Sequence, residues 1–261
     1  MRNGVAILFV FCLVVSGCST PEKTIIEKPV VFLNTETISA TTDGISVVNF
    51  QVKPKIKDVF KKLEQFGKPI ANQQLQIKLL LDGIQLRRVT AVDIPAILSS
   101  LGEVTDEVYV WHGQIFKWRD LHQRQIDAEG MLITQQGIPY HIVRGYLSLQ
   151  SRSWLINRED GYRIYLQLLP TWHVPRNRPS IVGSSSEHLQ SKVFNDLKFE
   201  TLLRDDEAIV LAVALFAPEV TTGPQDEGAP AVRLGEALLG GPVKQDIVQI
   251  IVIEANIMPR G

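Results

Sequence analysis

The sequence predicts an α+β protein: a small helix-containing region over residues 46–104, then a mostly antiparallel β region over residues 105–261. Two observations lead there. Apolar residues recur at helical spacing between Ile56 and Phe66, and helix start and stop signals bracket two further segments before Gly102. After Gly102 the apolar residues alternate, or gather in short β-branched and aromatic runs separated by turn residues. No internal repeat at a fixed period is present.

The elements follow in order. Ser46–Val52 alternates and reads as a strand, interrupted at Pro54-Lys55. Ile56, Val59, Phe60, Leu63 and Phe66 share one helical face, which closes at Gly67. Asn72–Leu81 predicts a second helix, ended by Asp82-Gly83, and Ile84–Val89 a short strand. Asp93 is placed to cap a third helix, Ile94–Leu101, with Pro95 in its first turn. Val108–Trp111 and Ile115–Trp118 predict a hairpin joined at His112-Gly113-Gln114. Met131–Thr134 and Tyr140–Val143 flank a turn segment, and Tyr146–Leu155 alternates with Leu147 and Leu149 on one side. Tyr162–Pro170 is a strong strand signal after the turn pair Asp160-Gly161. Lys198–Leu203, Ala208–Leu215 and Ile247–Ile253 complete the strands. Two polar loops, Pro175–Glu187 and Pro218–Ala231, read as plain surface loops or as functional segments.

Residues 1–17 have the build of a signal peptide. Arg2 supplies a positive charge, Val5–Val15 is apolar apart from Cys12, and the small residues Ser16 and Gly17 precede Cys18. A membrane-spanning helix needs roughly 20 apolar residues. This run is shorter and ends at Ser16, Ser19, Thr20, Pro21 and Glu22. Val15-Ser16-Gly17-Cys18 resembles the lipobox of bacterial lipoproteins. The resemblance implies removal of residues 1–17 and attachment of lipid, palmitate among its chains, to Cys18. It implies a bacterial cell envelope location, on the periplasmic side of the outer or inner membrane. Ser19 fits onward transport to the outer membrane in bacteria that sort by this position. The alternative is a plain secretory signal or a buried N-terminal helix. Residues 18–45 then read as a tether, with Pro29–Leu33 either an extended piece of it or a first strand.

Without residues 1–17 the chain keeps 244 residues (261 − 17), enough for one large domain or two small ones. Net charge is −1, or −2 once Arg2 is lost, so no bulk basic field for nucleic acid exists. On the lipobox resemblance Cys12 would leave with the signal and Cys18 would carry lipid. The remaining domain has no thiol for a disulfide or a thiolate metal site.

No residue pattern carries catalytic chemistry. The histidines His112, His122, His141, His173 and His188 form no zinc-binding spacing, and no metal or cofactor is expected. Gly183–Glu187 lacks the Gly-x-Ser-x-Gly of a nucleophile elbow. Gly235–Pro242 lacks the Lys and Ser or Thr of a phosphate loop, and Glu236 would repel phosphate. Arg204-Asp205-Asp206-Glu207 lacks calcium-loop spacing and reads as a solvated turn. Tyr109, Trp111, Phe116 and Trp118 gather in the expected hairpin. Trp111, Trp118 and Tyr109 form either a ligand surface or part of the core.

Residues 161–261 weakly resemble the C-terminal β module of outer-membrane secretins. Gly161–Pro170 is similar to the strand that opens that module. Leu203-Arg204-Asp205-Asp206-Glu207 followed by Ala208–Leu211 is similar to its acidic turn and strand. Leu234–Gly240 is similar to its "lgdiPllG" segment, and Ile247–Ile253 with Pro259-Arg260 to its end. Asp206 stands where the family has Gly, and the segment's Pro is missing. The alternative is independent convergence on a common β pattern. The resemblance implies a secretin-like module too short to form a pore. The expected function is therefore a non-enzymatic, membrane-anchored lipoprotein with an envelope protein partner, in a secretin-like or secretion-related assembly. The competing readings are a glycan- or small-ligand-binding lipoprotein using the Trp111/Trp118 hairpin, and a hydrolase assembled from distant His, Asp and Ser.

Overall fold

The computed structural model describes residues 42–55, 59–70, 72–174, 191–213, 231–240 and 247–260. The expected signal peptide, Cys18, nearly all of the tether, and the loops 175–187 and 218–230 lie outside the described residues. Residues 40–261 form one compact unit. In chain order its elements are β1 (Gly44–Pro54), α1 (Val59–Glu64), β2 (Lys68–Pro69), α2 (Gln73–Leu81), β3 (Ile84–Thr90) and α3 (Ile94–Leu101). Then come β4 (Gly102–Gly113), β5 (Ile115–Ile126), β6 (Met131–Gln135), β7 (Ile138–Ile142), β8 (Gly145–Arg158) and β9 (Gly161–His173). Last are β10 (Lys192–Val193), β11 (Phe199–Leu203), β12 (Glu207–Val213), β13 (Val232–Arg233), α4 (Leu234–Leu239) and β14 (Val248–Asn256). The fold is mostly antiparallel sheet with few helices.

A six-stranded antiparallel sheet runs β2-β3-β12-β14-β1-β4. It corrects the expected division at residue 104. β1 and β3, from before that point, share a sheet with β12 and β14 from far beyond it. A lone strand leaves its backbone groups without partners, and the long apolar strands β12 and β14 supply them here. One face of this sheet packs Val48, Phe50, Val210, Ile250 and Val252 against Val59, Leu63, Ile97 and Leu101 of α1 and α3. The other face packs Val47, Leu211, Ile251 and Ile253 against a second sheet. Burial on both faces explains why β12 and β14 read as nearly continuous apolar runs rather than alternating ones.

In the second sheet β10 and β11 both pair with β9, which pairs with β8, which pairs with β5. Its inner face carries Leu147, Leu149, Ile164, Leu166 and Leu168. The third sheet is β13-β6-β7. Its hairpin turns at Gln136 and Gly137, both with positive φ, as a two-residue turn matched to strand twist requires.

The expected hairpin of Val108–Trp111 with Ile115–Trp118 is not formed. β4 pairs with β1 from Pro54↔Gly102 to Ile45↔Gly113, and β5 pairs with β8 from Ile115↔Ser153 to Ile126↔Gly145. At Gly113, whose φ is 63°, the chain leaves one sheet and enters the other. Each strand thereby gains a ladder much longer than the short hairpin could offer. The β8–β9 turn falls at Glu159-Asp160, since Arg158 pairs with Gly161, one residue before the expected pair. Asn72 caps α2 by accepting from the Leu75 N–H at 2.9 Å. Asp93 makes no capping bond to α3; its carboxylate accepts from the Thr90 hydroxyl instead. The strands of residues 161–261 divide between two sheets, β9 and β11 in one and β12 and β14 in the other. The Arg204–Asp206 turn is the crossing between them.

Candidate functional site

The outer face of the second sheet carries a group of aromatic and charged side chains. It follows from the alternation of β8. Leu147, Leu149, Ser151 and Ser153 point inward, so Arg152 and Trp154 point outward, half-buried. Trp154 pairs across the strands with Tyr165 of β9. Their rings lie 4.7 Å apart at 52°. Between Ile115 and Arg119, β5 has extra residues opposite the two-residue step Ser153–Ser151 of β8. This irregularity brings Trp118 beside Arg152. The Arg152 guanidinium then lies 5.3 Å from the Trp118 ring and 5.3 Å from the Trp154 ring. Such a cation is attracted to the electron-rich face of each indole.

A polar cluster continues the row. The Tyr165 hydroxyl donates to Glu200 Oε2 at 2.6 Å. Gln167 Nε2 donates to the same oxygen at 3.0 Å and to the Tyr165 oxygen at 2.9 Å. Lys198 Nζ lies 3.7 Å from Glu200. The bonds from Tyr165 and Gln167 hold the Glu200 carboxyl below the usual carboxylate range. Burial, then the bond to Glu200, pushes the Tyr165 phenol up.

Of the aromatic residues expected from sequence, only Trp118 joins this array. Tyr109 and Trp111 belong to β4 in the other sheet. Tyr109 pairs with Val48 and packs on the helix-side core, and Trp111 pairs with Ser46. Sequence reasoning misses Arg152, Trp154, Tyr165 and Glu200. The polar-aromatic alternation from Ser151 to Trp154 carried a signal for an outward Trp154; the cross-strand partners carried none.

Among the described residues the histidines form no group with Cys, Asp or Glu that could hold a metal ion. His122 Nε2 is 3.0 Å from the Leu238 carbonyl oxygen, and its Nδ1 is 3.3 Å from Gln249 Nε2. Nε2 therefore donates and Nδ1 accepts. Burial lowers the pKa of His122 and of His112, the latter aided by Arg119. Both ring nitrogens of His112 are buried without a partner. His188 lies outside the described residues. Among the described residues no group of three or more His, Cys, Asp or Glu is placed to hold a metal ion. None of their helices is long and apolar enough to cross a membrane.

One ionisable group sits deep in the interior. Asp82 is fully buried at the end of α2. Its Oδ1 accepts from the Gln136 N–H at 2.5 Å, and its main-chain oxygen accepts from the Gly235 N–H at 2.7 Å. It thereby joins α2, the β6–β7 turn and the start of α4. Its Oδ2 is buried with no partner. Burial pushes the Asp82 carboxyl up to about 6.

No family model, curated protein or solved structure matches the chain.

Proposed function

We propose that the protein is a bacterial envelope lipoprotein, held by lipid on Cys18, that acts through contact with another envelope protein and performs no chemistry of its own. The observation that carries the contact is the free edge of β4. This strand has 12 residues and pairs with β1 on one side, with no strand on its other side among the described residues. Proteins usually blunt such an edge with short strands, proline, bulges or charge. β4 has irregularities near each end and acidic residues at Glu103, Asp106 and Glu107. Between them Glu107 to Trp111 pairs regularly, and Val108 and Val110 are exposed at 50% and 38%. That is the geometry of strand addition, in which a partner's extended segment continues the sheet. The helix-bearing N-terminal part, with α1 and α3, backs the sheet whose edge faces the partner. The lipobox-like Val15–Cys18 supports the anchor, and the secretin-like order in residues 161–261 supports a secretion-related assembly.

Two expected outcomes test this reading. Cys18→Ala abolishes palmitate labelling and moves the protein from the membrane to the soluble fraction; a labelled, membrane-bound C18A protein removes the anchor. Crosslinking followed by purification from membranes recovers an envelope protein with the wild type. The double variant V108K/V110K lowers that recovery at least tenfold, while stability stays within about 0.5 kcal/mol, as for other exposed substitutions. Equal recovery with both proteins removes the β4 edge from the reading.

A further inference from the structure

We infer that the outer face of the second sheet binds a carboxylated saccharide, with its carboxylate on Arg152 and its sugar rings against Trp118, Trp154 and Tyr165. The inference stands apart from the β4 edge, and either can fail alone.

Arg152 is the starting point. Its charge is balanced by no carboxylate: among the described residues it makes no ion pair, and its close partners are the two indoles. Its Nε is buried without an acceptor. A guanidinium is a planar fork of donors that matches the two oxygens of a carboxylate. Two indoles within 5.3 Å restrict the guanidinium before any ligand arrives, so less side-chain freedom is lost on binding. A cation prepared in this way and left without its anion fits an acidic ligand.

The rest of the face selects the kind of acid. Trp118, Arg152 with Trp154, Tyr165, and Glu200 lie on the adjacent strands β5, β8, β9 and β11. At the usual strand spacing the row spans about 14 Å, the reach of a short oligosaccharide rather than of one ring. Aromatic rings present flat apolar surface to the C–H faces of pyranoses. At the far end Glu200 is already bonded by Tyr165 and Gln167 and faced by Lys198. Its charge is offset, and its remaining lone pairs are free to accept from sugar hydroxyls. An acidic peptide would seek backbone partners, which a sheet edge offers and a sheet face does not. An anionic membrane would seek a cluster of cations rather than a row in which aromatic rings and the carboxylate of Glu200 surround Arg152 and Lys198.

The test uses the mature chain with tryptophan fluorescence and calorimetry. The probes are trigalacturonic acid and muramic-acid-containing glycan fragments. Maltotriose, a polyglutamate peptide and phosphatidylglycerol vesicles serve as comparisons. At least one carboxylated glycan is expected to bind at least tenfold more tightly than maltotriose and to perturb the tryptophan emission. Arg152→Gln is expected to weaken it at least tenfold, with Arg152→Lys restoring only part. Trp154→Ala is expected to abolish it. If W154A does not fold, E200Q replaces it, with a severalfold loss expected. Binding no better than maltotriose overturns the inference, as does equal binding of R152Q. Tighter binding of the peptide or the vesicles overturns it in favour of that partner.

Discussion

Arg124→Ala is expected to lower the stability of the folded protein by about 3 kcal/mol, since each hydrogen bond to a charged group contributes about 1.5–3 kcal/mol. Arg124 lies on β5, and its Nη1 donates to the main-chain oxygens of Glu236, Ala237 and Gly240 at 3.1, 2.8 and 2.8 Å. The Glu236 carbonyl also accepts from the Gly240 N–H at 2.7 Å, whereas those of Ala237 and Gly240, at the end of α4, have no helical partner among the described residues. α4 has six residues and buries Leu234, Ala237, Leu238 and Leu239. It is too short to hold itself together, and a positive charge at its C-terminus meets the negative end of its dipole. His122, two residues before Arg124, donates to Leu238 in the same group. Without Arg124 the carbonyls of Ala237 and Gly240 lose this donor, and that of Glu236 keeps only the Gly240 N–H. Urea unfolding of R124A beside the exposed control Arg119→Ala measures this. A loss below 1 kcal/mol, or one no larger than the control's, would show that α4 is held by its apolar residues alone.

The second large effect has the opposite sign. Asp82→Asn is expected to raise stability at pH 7.5 by about 3 kcal/mol. The Asp82 carboxyl titrates at about 6 when folded, against 3.8 as its ordinary value, with burial the largest cause. The folded state therefore holds the proton more tightly than the unfolded chain does. Wild-type stability falls as pH rises from about 4 to about 6, and the full cost stands above that. Two pH units correspond to about 3 kcal/mol. The attraction to Arg233 and the bond from Gln136 oppose the burial and are already contained in that net shift. The side-chain amide of D82N stays neutral and keeps an oxygen for the Gln136 N–H. The difference between variant and wild type should vanish near pH 4. Unfolding curves at pH 4.5, 6 and 7.5 test the slope, and a pH-independent difference would sink the argument.

The structure divides what local sequence signals specify from what they leave open. Strands β1, β3, β8, β9, β11 and β14 and helices α2 and α3 fall close to their expected places. Their marks are short-range: alternation, caps, Pro95, and the stop at Asp82-Gly83. Pairing is a long-range choice, and there the local signals mislead. Val108–Trp111 and Ile115–Trp118 look like a hairpin because they are adjacent, yet each finds a longer partner in another part of the chain. The candidate site is hidden for the same reason. Trp118 stands out in the sequence, but its neighbours Arg152, Trp154 and Tyr165 reach it through sheet register.

The place of β14 has a consequence for how the protein is made. It is the last of the described strands, yet it lies between β12 and β1 in the middle of its sheet. Ser46 and Glu254, which share a hydrogen bond, stand 208 residues apart in sequence. Arg260 pairs with Asp43, so the two ends of the compact unit are fastened together. A chain emerging N-terminus first therefore cannot close this sheet until Asn256 has arrived. Until then β1 and β12 each wait with an open, strongly apolar edge. Contacts this distant make folding slow, and the waiting edges invite pairing with other chains. Deleting Val248–Asn256 would leave a sheet split down its middle, a far heavier loss than deleting an edge strand.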